Sequence, residues 1–561
     1  MPMMRFATPA LAVAIAWLCP AAPALAEGAD PLRVRMLGVG ATPDRAEDQR
    51  DRDPQARPAD AGPPLTQRQM IDHVISRLTF GPTPGLAEQV AAEGWEAWAR
   101  RQLQPHTIDE SEYESRLARR YPSLTMSMTD IFHTYRPPYE NNPPTLEERR
   151  QRNRLRAKCR RELRESVLDR AVHSKAQFRE VIVEFWRNHL NVDQQKDDVG
   201  YLANHYEQHV IRAHAFGRYE DMLLASARHP AMLIYLDNIV SQKPLGKYDQ
   251  KLLERYEGRD RKPRSVEALQ RYSGLNENYA RELMELHTLG VDNGYTQRDV
   301  TELSRVLTGW TARWNDDGEY GFHFRAEVHD NDDKRLLGTL LRRGGQEQGV
   351  KVIQGLARDR RTARFLASKL CAYLVNDQPP DDLVEEIAAV YLRTGGHLPS
   401  VYEAIIFSDD FASRANYRTK FRTPFEFVAA ALRATDSEIS GYGPTLNALH
   451  AMGQPIYQQE DPTGYDDRAE DWLDPGVLVY RWRYALQLGR DSVKGVSLPS
   501  GFMQRFANQP PKQLKNALVQ TLIPAGVDER TDRVLLEEIQ RNQRFGHALG
   551  LVLGSPAFQQ Q

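Results

Sequence analysis

Asn276-Glu277-Asn278-Tyr279-Ala280-Arg281-Glu282-Leu283-Met284-Glu285-Leu286-His287-Thr288-Leu289-Gly290 is the stretch whose reading decides the fold class. At 100° per residue, Tyr279, Leu283 and Leu286 make an apolar stripe with His287 at its edge, while Asn278, Glu282 and Glu285 share another face. Gly290 supplies a left-handed stop, and Gly309 does the same for a second helix expected over 296–308. From Trp310 to Phe324 aromatic and polar residues alternate around Asn315-Asp316-Asp317-Gly318, which reads as a small β-hairpin near 310–325.

Working outward, the helical period persists over 166–240, and the polar residues 241–275 read as a long loop. Further helices are expected at 347–375, 380–393, 399–408, 423–434, 442–452, 477–490, 510–522 and 529–553, with a loop rich in Pro, Gly and acids over 454–476. Upstream, Thr66 is placed to cap a helix carrying Met70, Val74, Ile75 and Leu78. A turn at Phe80-Gly81-Pro82-Thr83-Pro84 precedes another helix that runs toward Trp98. No repeat of fixed period is found. The expectation is a mainly α chain, a multi-helix globular bundle with one small hairpin, forming a single large domain over 65–555.

The chain has 561 residues, of which 41% are hydrophobic and 27% charged, ample for a large core. Its net charge of -2 gives no global attraction to nucleic acid or anionic lipid, so no nucleic-acid partner is expected. Arg5, the apolar run Ala7 to Trp17 and Ala24-Leu25-Ala26 read as a signal peptide over 1–26, with a mature chain from Glu27 exported to the periplasm or beyond. Leu18 and Pro20 make Cys19 a poor lipid-anchor site. Residues 27–64, rich in Pro, Gly, Asp and Arg, read as a flexible leader. No later segment approaches the roughly 18–20 apolar residues that a bilayer crossing needs, so no transmembrane segment is expected in the mature chain.

Cys159 and Cys371 remain after export, open to one disulfide or to two buried thiols; neither forms a CxxC pair. A charged segment over about 140–165 carries arginines between Arg149 and Arg164. It reads as a solvated helix paired with Glu147, Glu148, Glu162 and Glu165, or as a polyanion-binding helix.

Chemistry is sought where polar side chains fall on buried faces. In the helix Phe178 to Leu190, Val181, Ile182 and Phe185 form one face, and Asn188 and His189 fall with them. Glu180, Glu184 and Arg187 lie opposite. Burying an amide or imidazole costs about 1–3 kcal/mol unless it is hydrogen-bonded, so both demand a partner inside the fold, either structural or catalytic. Glu282 and Glu285, one turn apart, offer a cation site or an acid–base pair, or a solvated face paired with Arg281 or Arg305. His329-Asp330 offers an oriented base or metal ligand, or a structural turn. His205 and His209 lie at zinc-like i, i+4 spacing, yet Glu207 points away from both and the HExxH pattern is absent. No Gly-rich phosphate loop, GxSxG elbow or CxxCH site is present.

The chain resembles the bacterial family known as domain of unknown function 1800 (DUF 1800). The resemblance rests on Arg77-Leu78-Thr79-Phe80-Gly81-Pro82-Thr83-Pro84, Phe185-Trp186-Arg187-Asn188-His189-Leu190-Asn191-Val192, and His229-Pro230-Ala231-Met232-Leu233 to Asp237-Asn238. The run 276–290, Leu307-Thr308-Gly309-Trp310, His329-Asp330 with Lys334 and Gly338, Thr423-Pro424-Phe425-Glu426 and Gly453-Gln454-Pro455 extend it over about 66–555. The charged segment 140–165 departs from the pattern. The resemblance implies exported helical proteins, often encoded beside an exported sulfatase-like family (DUF 1501), and supplies no reaction.

Two readings of function follow. One is an exported metal-assisted hydrolase whose catalytic centre draws on His189, Glu282, Glu285, His287, His329 and Asp330, with Asn188, Asn276, Asn278 and Arg281 as structural polar residues and a divalent metal as cofactor. The other is a non-enzymatic accessory protein acting with the sulfatase-like partner. The first requires those residues to meet at one water-accessible pocket; the second requires them to be spent on internal hydrogen bonds.

Overall fold

In a computed structural model, which describes residues 63–257, 263 and 274–561, the elements follow the polar and apolar periods closely. The signal peptide 1–26 and nearly all of the leader 27–64 lie outside the described residues. Residues Leu65–Gln561 form one unit by their contacts.

Helix α1 (Gln67–Leu78) opens with a capping box, Thr66 and Gln69 each satisfying the other's backbone amide, and buries Ile71, Val74, Ile75 and Leu78. The helix toward Trp98 is two, α2 (Leu86–Glu93) and α3 (Trp95–Gln102), because Gly94 breaks it at φ 85°. The charged segment becomes α4 (Leu146–His173), whose first turns are solvated and whose second half buries Leu163, Val167, Leu168 and Ala171. Several of its arginines face the chain itself: Arg152 reaches Pro137 O at 2.7 Å, Arg156 bonds Asp197 O and Arg160 reaches Gln195 O at 3.3 Å.

Helix α5 (Gln177–His189) is buried on nearly every side, including the face that carries Glu180 and Arg187. Helix α6 (Val199–Tyr206) runs into a π-helical turn, Glu207–Arg212, and is followed by α7 (Tyr219–Arg228) and α8 (Pro230–Tyr235). The stretch 166–240 is thus interrupted rather than helical throughout, and residues 241–275, expected as loop, contain a helix at Lys247–Arg255. The deciding stretch forms α9 (Asn278–Glu285), shorter than expected, with His287 and Leu289 finishing it in wider turns through Glu282 O and Met284 O. Helix α10 (Gln297–Leu307) follows behind a second capping box, Thr296 with Asp299.

The hairpin is β1 (Trp310–Trp314) against β2 (Tyr320–Phe324), antiparallel with Trp310 opposite Phe324. Two further two-stranded pairs went unforeseen: β3 (Lys334–Leu336) with β4 (Thr339–Leu341), and a later two-residue pairing at Glu438–Ile439 and Val496–Ser497. The helix expected over 347–375 is divided into α11 (Gln346–Ala357) and α12 (Arg360–Leu374), since Asp359 caps the amide of Arg361 and starts a new helix. Likewise 529–553 is two helices, Glu529–Arg541 and Phe545–Leu553. Helix α13 (Pro424–Ala434) is buried along nearly its whole length. The protein is mainly α with small antiparallel hairpins. Cys159 and Cys371 are buried and free, which closes the disulfide alternative.

Gly309 sits where α10 meets the hairpin, at φ 77°, and a Cβ built there would lie 2.5 Å from Arg325 O. Gly318, in the hairpin turn, has φ 78° and open space around it. Gly318→Ala is therefore expected to cost about 1 kcal/mol, the backbone penalty alone. Gly309→Ala adds an overpacking penalty of about 1–3 kcal/mol. Paired thermal melts check the difference, and equal midpoints would show that Arg325 yields freely.

Candidate functional site

The sequence Phe185 to Gln194 brings its polar groups to the end of α5, where they meet the loop 454–467. Arg187 binds Glu207 through Nε and Nη2, each at 3.1 Å, and also pairs with Glu184. Tyr457 donates to Glu207 Oε2 at 2.6 Å. Burial would raise the Glu207 pKa, but Arg187 beside it holds it below the usual carboxylate range.

Asn188 clamps the loop backbone with both ends of its amide. Its Nδ2 donates to Tyr465 O and its Oδ1 accepts from Tyr465 N, both at 2.7 Å. Asn191 Nδ2 donates to Gln459 O at 3.0 Å and Asp461 O at 2.9 Å, and Gln194 Nε2 donates to Ile456 O at 3.2 Å. Beneath the clamped loop is a void of about 20 Å³ bounded by Glu184, Arg187, Asn188, Asn191, Gln454 and Tyr457, room for about one water molecule.

His189 lies at the last turn of α5. Its Nε2 is 3.1 Å from the Tyr219 hydroxyl and 3.3 Å from His287 O, and Tyr219 itself donates to that same carbonyl. The tyrosine proton is thereby used, so the carbonyl places a proton on His189 Nε2, and Nδ1 is left a buried lone pair without a partner. His287, 6.3 Å away between ring centroids, has its Nε2 buried and unpartnered too. Burial, followed by the charge of Lys369 on α12, drives both imidazoles to the neutral form. His287 is pushed down to about 3 and His189 well below its ordinary value. Lys369 is itself lowered by burial, opposed by Asp467 and Asp466.

Glu282 stands on the other face of α9. Burial first, then Glu285, push its pKa up to about 7, with Asp461 adding and Arg281 opposing. Glu285 is held by Arg281 at 3.3 Å, and Arg281 also reaches Gln297 at 2.8 Å. Asn276 Oδ1 accepts from Asn278 N at 2.9 Å at the start of α9.

His329 and Asp330 are elsewhere, behind the hairpin. The His329 ring spans Thr308 O at 2.8 Å and Gly344 O at 2.9 Å. Asp330 receives Arg305 through Nε at 2.8 Å and Nη2 at 3.2 Å, and Asp332 N at 3.0 Å. Burial would raise the Asp330 carboxyl; the Arg305 hydrogen bond and the Asp332 amide hold it down.

The structure thus brings His189 and His287 together, keeps Glu282 and Glu285 on a second face, and holds His329 and Asp330 in a separate structural clasp. Among the described residues, no three His, Cys, Asp or Glu side chains are placed to hold a metal ion. His205 and His209 stack at 3.9 Å, and His205 Nδ1 meets His229 Nε2 at 2.9 Å. His229 Nδ1 accepts from Ala231 N at 3.0 Å as the cap of α8, which fixes the proton on Nε2 and directs it to His205.

Sequence reasoning missed the Arg187–Glu207–Tyr457 cluster, Lys369 and Asp467, whose pKa burial pushes up to about 6. Arg187 lies inside the quoted motif, which was the available signal; Lys369 carries none, because it is one polar residue in an apolar run.

Acid should reveal the neutral histidines. His73, His205 and His287 sit at about 3, 4 and 3 in the fold, below the unfolded value of 6.5. The unfolded chain therefore binds more protons between those limits, and their stabilisation is complete above pH 6.5 and lost as pH falls toward 3–4. Glu282, raised to about 7, works the other way: its contribution is full below 4.5 and lost as pH rises through 7. The thermal midpoint of His287→Gln is expected to fall less steeply than wild type between pH 6.5 and 4. Parallel slopes would mean that His287 takes its proton in the folded state.

The family model described as a protein of unknown function, DUF1800, matches residues 73–560, slightly C-terminal to the span 66–555 read from the motifs. No curated protein and no solved structure matches the chain. With a match over most of its length that includes the Asn188–His189 clamp, the α9 stretch and the His329–Asp330 clasp, the chain belongs to the DUF1800 family.

Proposed function

We propose that this is an exported accessory protein that binds a co-exported partner, and that it does not turn over a substrate. One observation carries the reading: the polar side chains that mark the family motifs end on groups of the same chain. Asn188 and Asn191 terminate on the backbone of 459–465, His189 on Tyr219 and His287 O, His329 on Thr308 O and Gly344 O, and Asp330 on Arg305. His189 and His287 are 2% and 1% exposed, so a substrate has no path to them. Both are also neutral far below pH 7, whereas an efficient proton-transfer group is tuned near the working pH.

What the clamps present outward is the acidic loop with Asp461 and Asp466, beside Glu282. The partner is the exported sulfatase-like protein that the family resemblance implies, meeting this loop with a basic surface. Export is supported by the N-terminal pattern read from the sequence, and no helix among the described residues is long and apolar enough to cross a membrane.

The metal-assisted hydrolase remains the second reading because of Glu282, the one candidate residue whose pKa, about 7, suits acid–base work.

Three measurements test the proposal on the chain secreted from its natural host. N-terminal sequencing is expected to begin at Glu27. Elemental analysis is expected to find zinc, iron and manganese well below one per chain. Affinity purification is expected to retain the sulfatase-like partner, with retention reduced about tenfold in Asn188→Ala, which releases the loop. Stoichiometric metal that disappears in His189→Ala would overturn the accessory reading in favour of the hydrolase.

A further inference from the structure

A second polar cavity lies between the N-terminal helices and the junction of α4 with α5, lined in part by Thr79, Thr83 and Pro84 of the first motif. It encloses about 590 Å³, within the range of small-molecule sites, and its wall includes Trp98, Arg101, His173, Lys175, Arg433 and Asp436.

Arg433, on α13, is only 4% exposed. Its Nε donates to Gly81 O at 2.8 Å and its Nη1 to Val172 O at 2.7 Å, so two carbonyls fix the plane of the guanidinium. Nη2 has no acceptor among the described residues, and Arg433 lines the cavity. Among the described residues no carboxylate offsets the charge, and burial pushes the Arg433 pKa down to about 9. Asp436, the acid on the wall, meets Arg433 only through its backbone amide, at 3.0 Å from Arg433 O.

A buried guanidinium without a counter-ion is costly, and interiors normally supply an anion or a carboxylate. Apart from Asp436, the charged side chains of the wall are basic. Lys175 is exposed, with Asp109 as the acid its charge reaches. The field of Arg116, Arg433 and Arg120 adds to burial in disfavouring the protonated form of His173, against Asp169. Arg101 is already neutralised by Glu93 at 2.7 Å and Lys175 has Asp109 within its field, which leaves Arg433 as the buried cation with no ion-pair partner among the described residues.

We propose that this cavity binds a small organic acid, its oxyanion group seated between Arg433 Nη2 and Lys175 Nζ and its carbon skeleton against Trp98 and Leu86. A guanidinium held flat by two carbonyls presents a fixed donor to a planar or tetrahedral oxyanion, and the lysine adds a mobile second charge. The arrangement recognises a carboxylate or a phosphate or sulfate group by the same chemistry. The volume admits a ligand larger than the bare ion.

The test uses the full mature chain and four probes, succinate, citrate, inorganic phosphate and sulfate, titrated at constant ionic strength and followed by calorimetry and thermal shift. Saturable binding of at least one probe is expected, with the carboxylate and inorganic arms distinguishing the natural headgroup. Lys175→Ala is expected to weaken it about tenfold and Lys175→Glu to abolish it. Both are exposed substitutions, and the unliganded melting temperature should not move. Arg433→Lys, if it folds, should bind more weakly than wild type. No saturable response to any of the four probes, or equal affinity in wild type and Lys175→Glu, overturns the proposal.

Discussion

Helix α5 carries Glu180, Arg187, Asn188 and His189 into the interior, and the penalty for leaving any of them unpaired shapes what surrounds it. An uncompensated buried charge costs several kcal/mol and an unmade hydrogen bond about 1–3. Glu180 is met by Arg212 at 2.7 Å and Arg187 by Glu207 at 3.1 Å. The partners lie five residues apart on the π-helical turn and their targets seven apart on α5, two turns of an ordinary helix. A π-helical turn is a local departure from regular helix often kept where a specific placement is needed. Here it aims a carboxylate and a guanidinium at the same neighbouring helix.

The loop 454–467 is ordered by the same economy. Amides at positions 188, 191 and 194 have no apolar role to play, and each ends on a carbonyl or amide of that loop. A segment rich in Pro, Gly and acids has little apolar area with which to hold itself down. Its shape therefore depends on these bonds, together with Tyr457 on Glu207 and Trp472 Nε1 on Asp466 O at 2.8 Å. Most of the polar character of the motifs is explained in this way, as support for a surface rather than as a reacting centre. Exceptions are the orphan nitrogens of Arg77, Trp310, His189 and His287 and the Asn238 Oδ1, of which the two histidines lie near Lys369.

Much of this was legible before any coordinates. The helices over 296–308, 380–393 and 423–434 and the hairpin near 310–325 come within one or two residues, because caps such as Thr296 and Thr423 and a stop such as Gly309 act locally, whereas α9 ends at Glu285, ahead of Gly290. Two of the errors have identifiable causes. Asp359 interrupts 347–375 by capping from inside an apolar period that continues on both sides, and periodicity is blind to such a phase break. Glu180 and Arg187 were read as the face opposite the core, since a pattern shows which residues share a side of a helix and not whether that side is solvated.

The candidate site divides along the same line. Sequence alone determined that the chain is mainly α, that it carries the DUF1800 motifs, and that Asn188, His189 and His329 need polar partners, because period, capping and the cost of burial are properties of neighbouring residues. Only the tertiary structure decided who those partners are. It set His189 beside His287 and His329 against Gly344, and it left Arg433 without a carboxylate. Such pairings join positions up to several hundred residues apart, and their geometry comes from how helices pack, which no local pattern encodes.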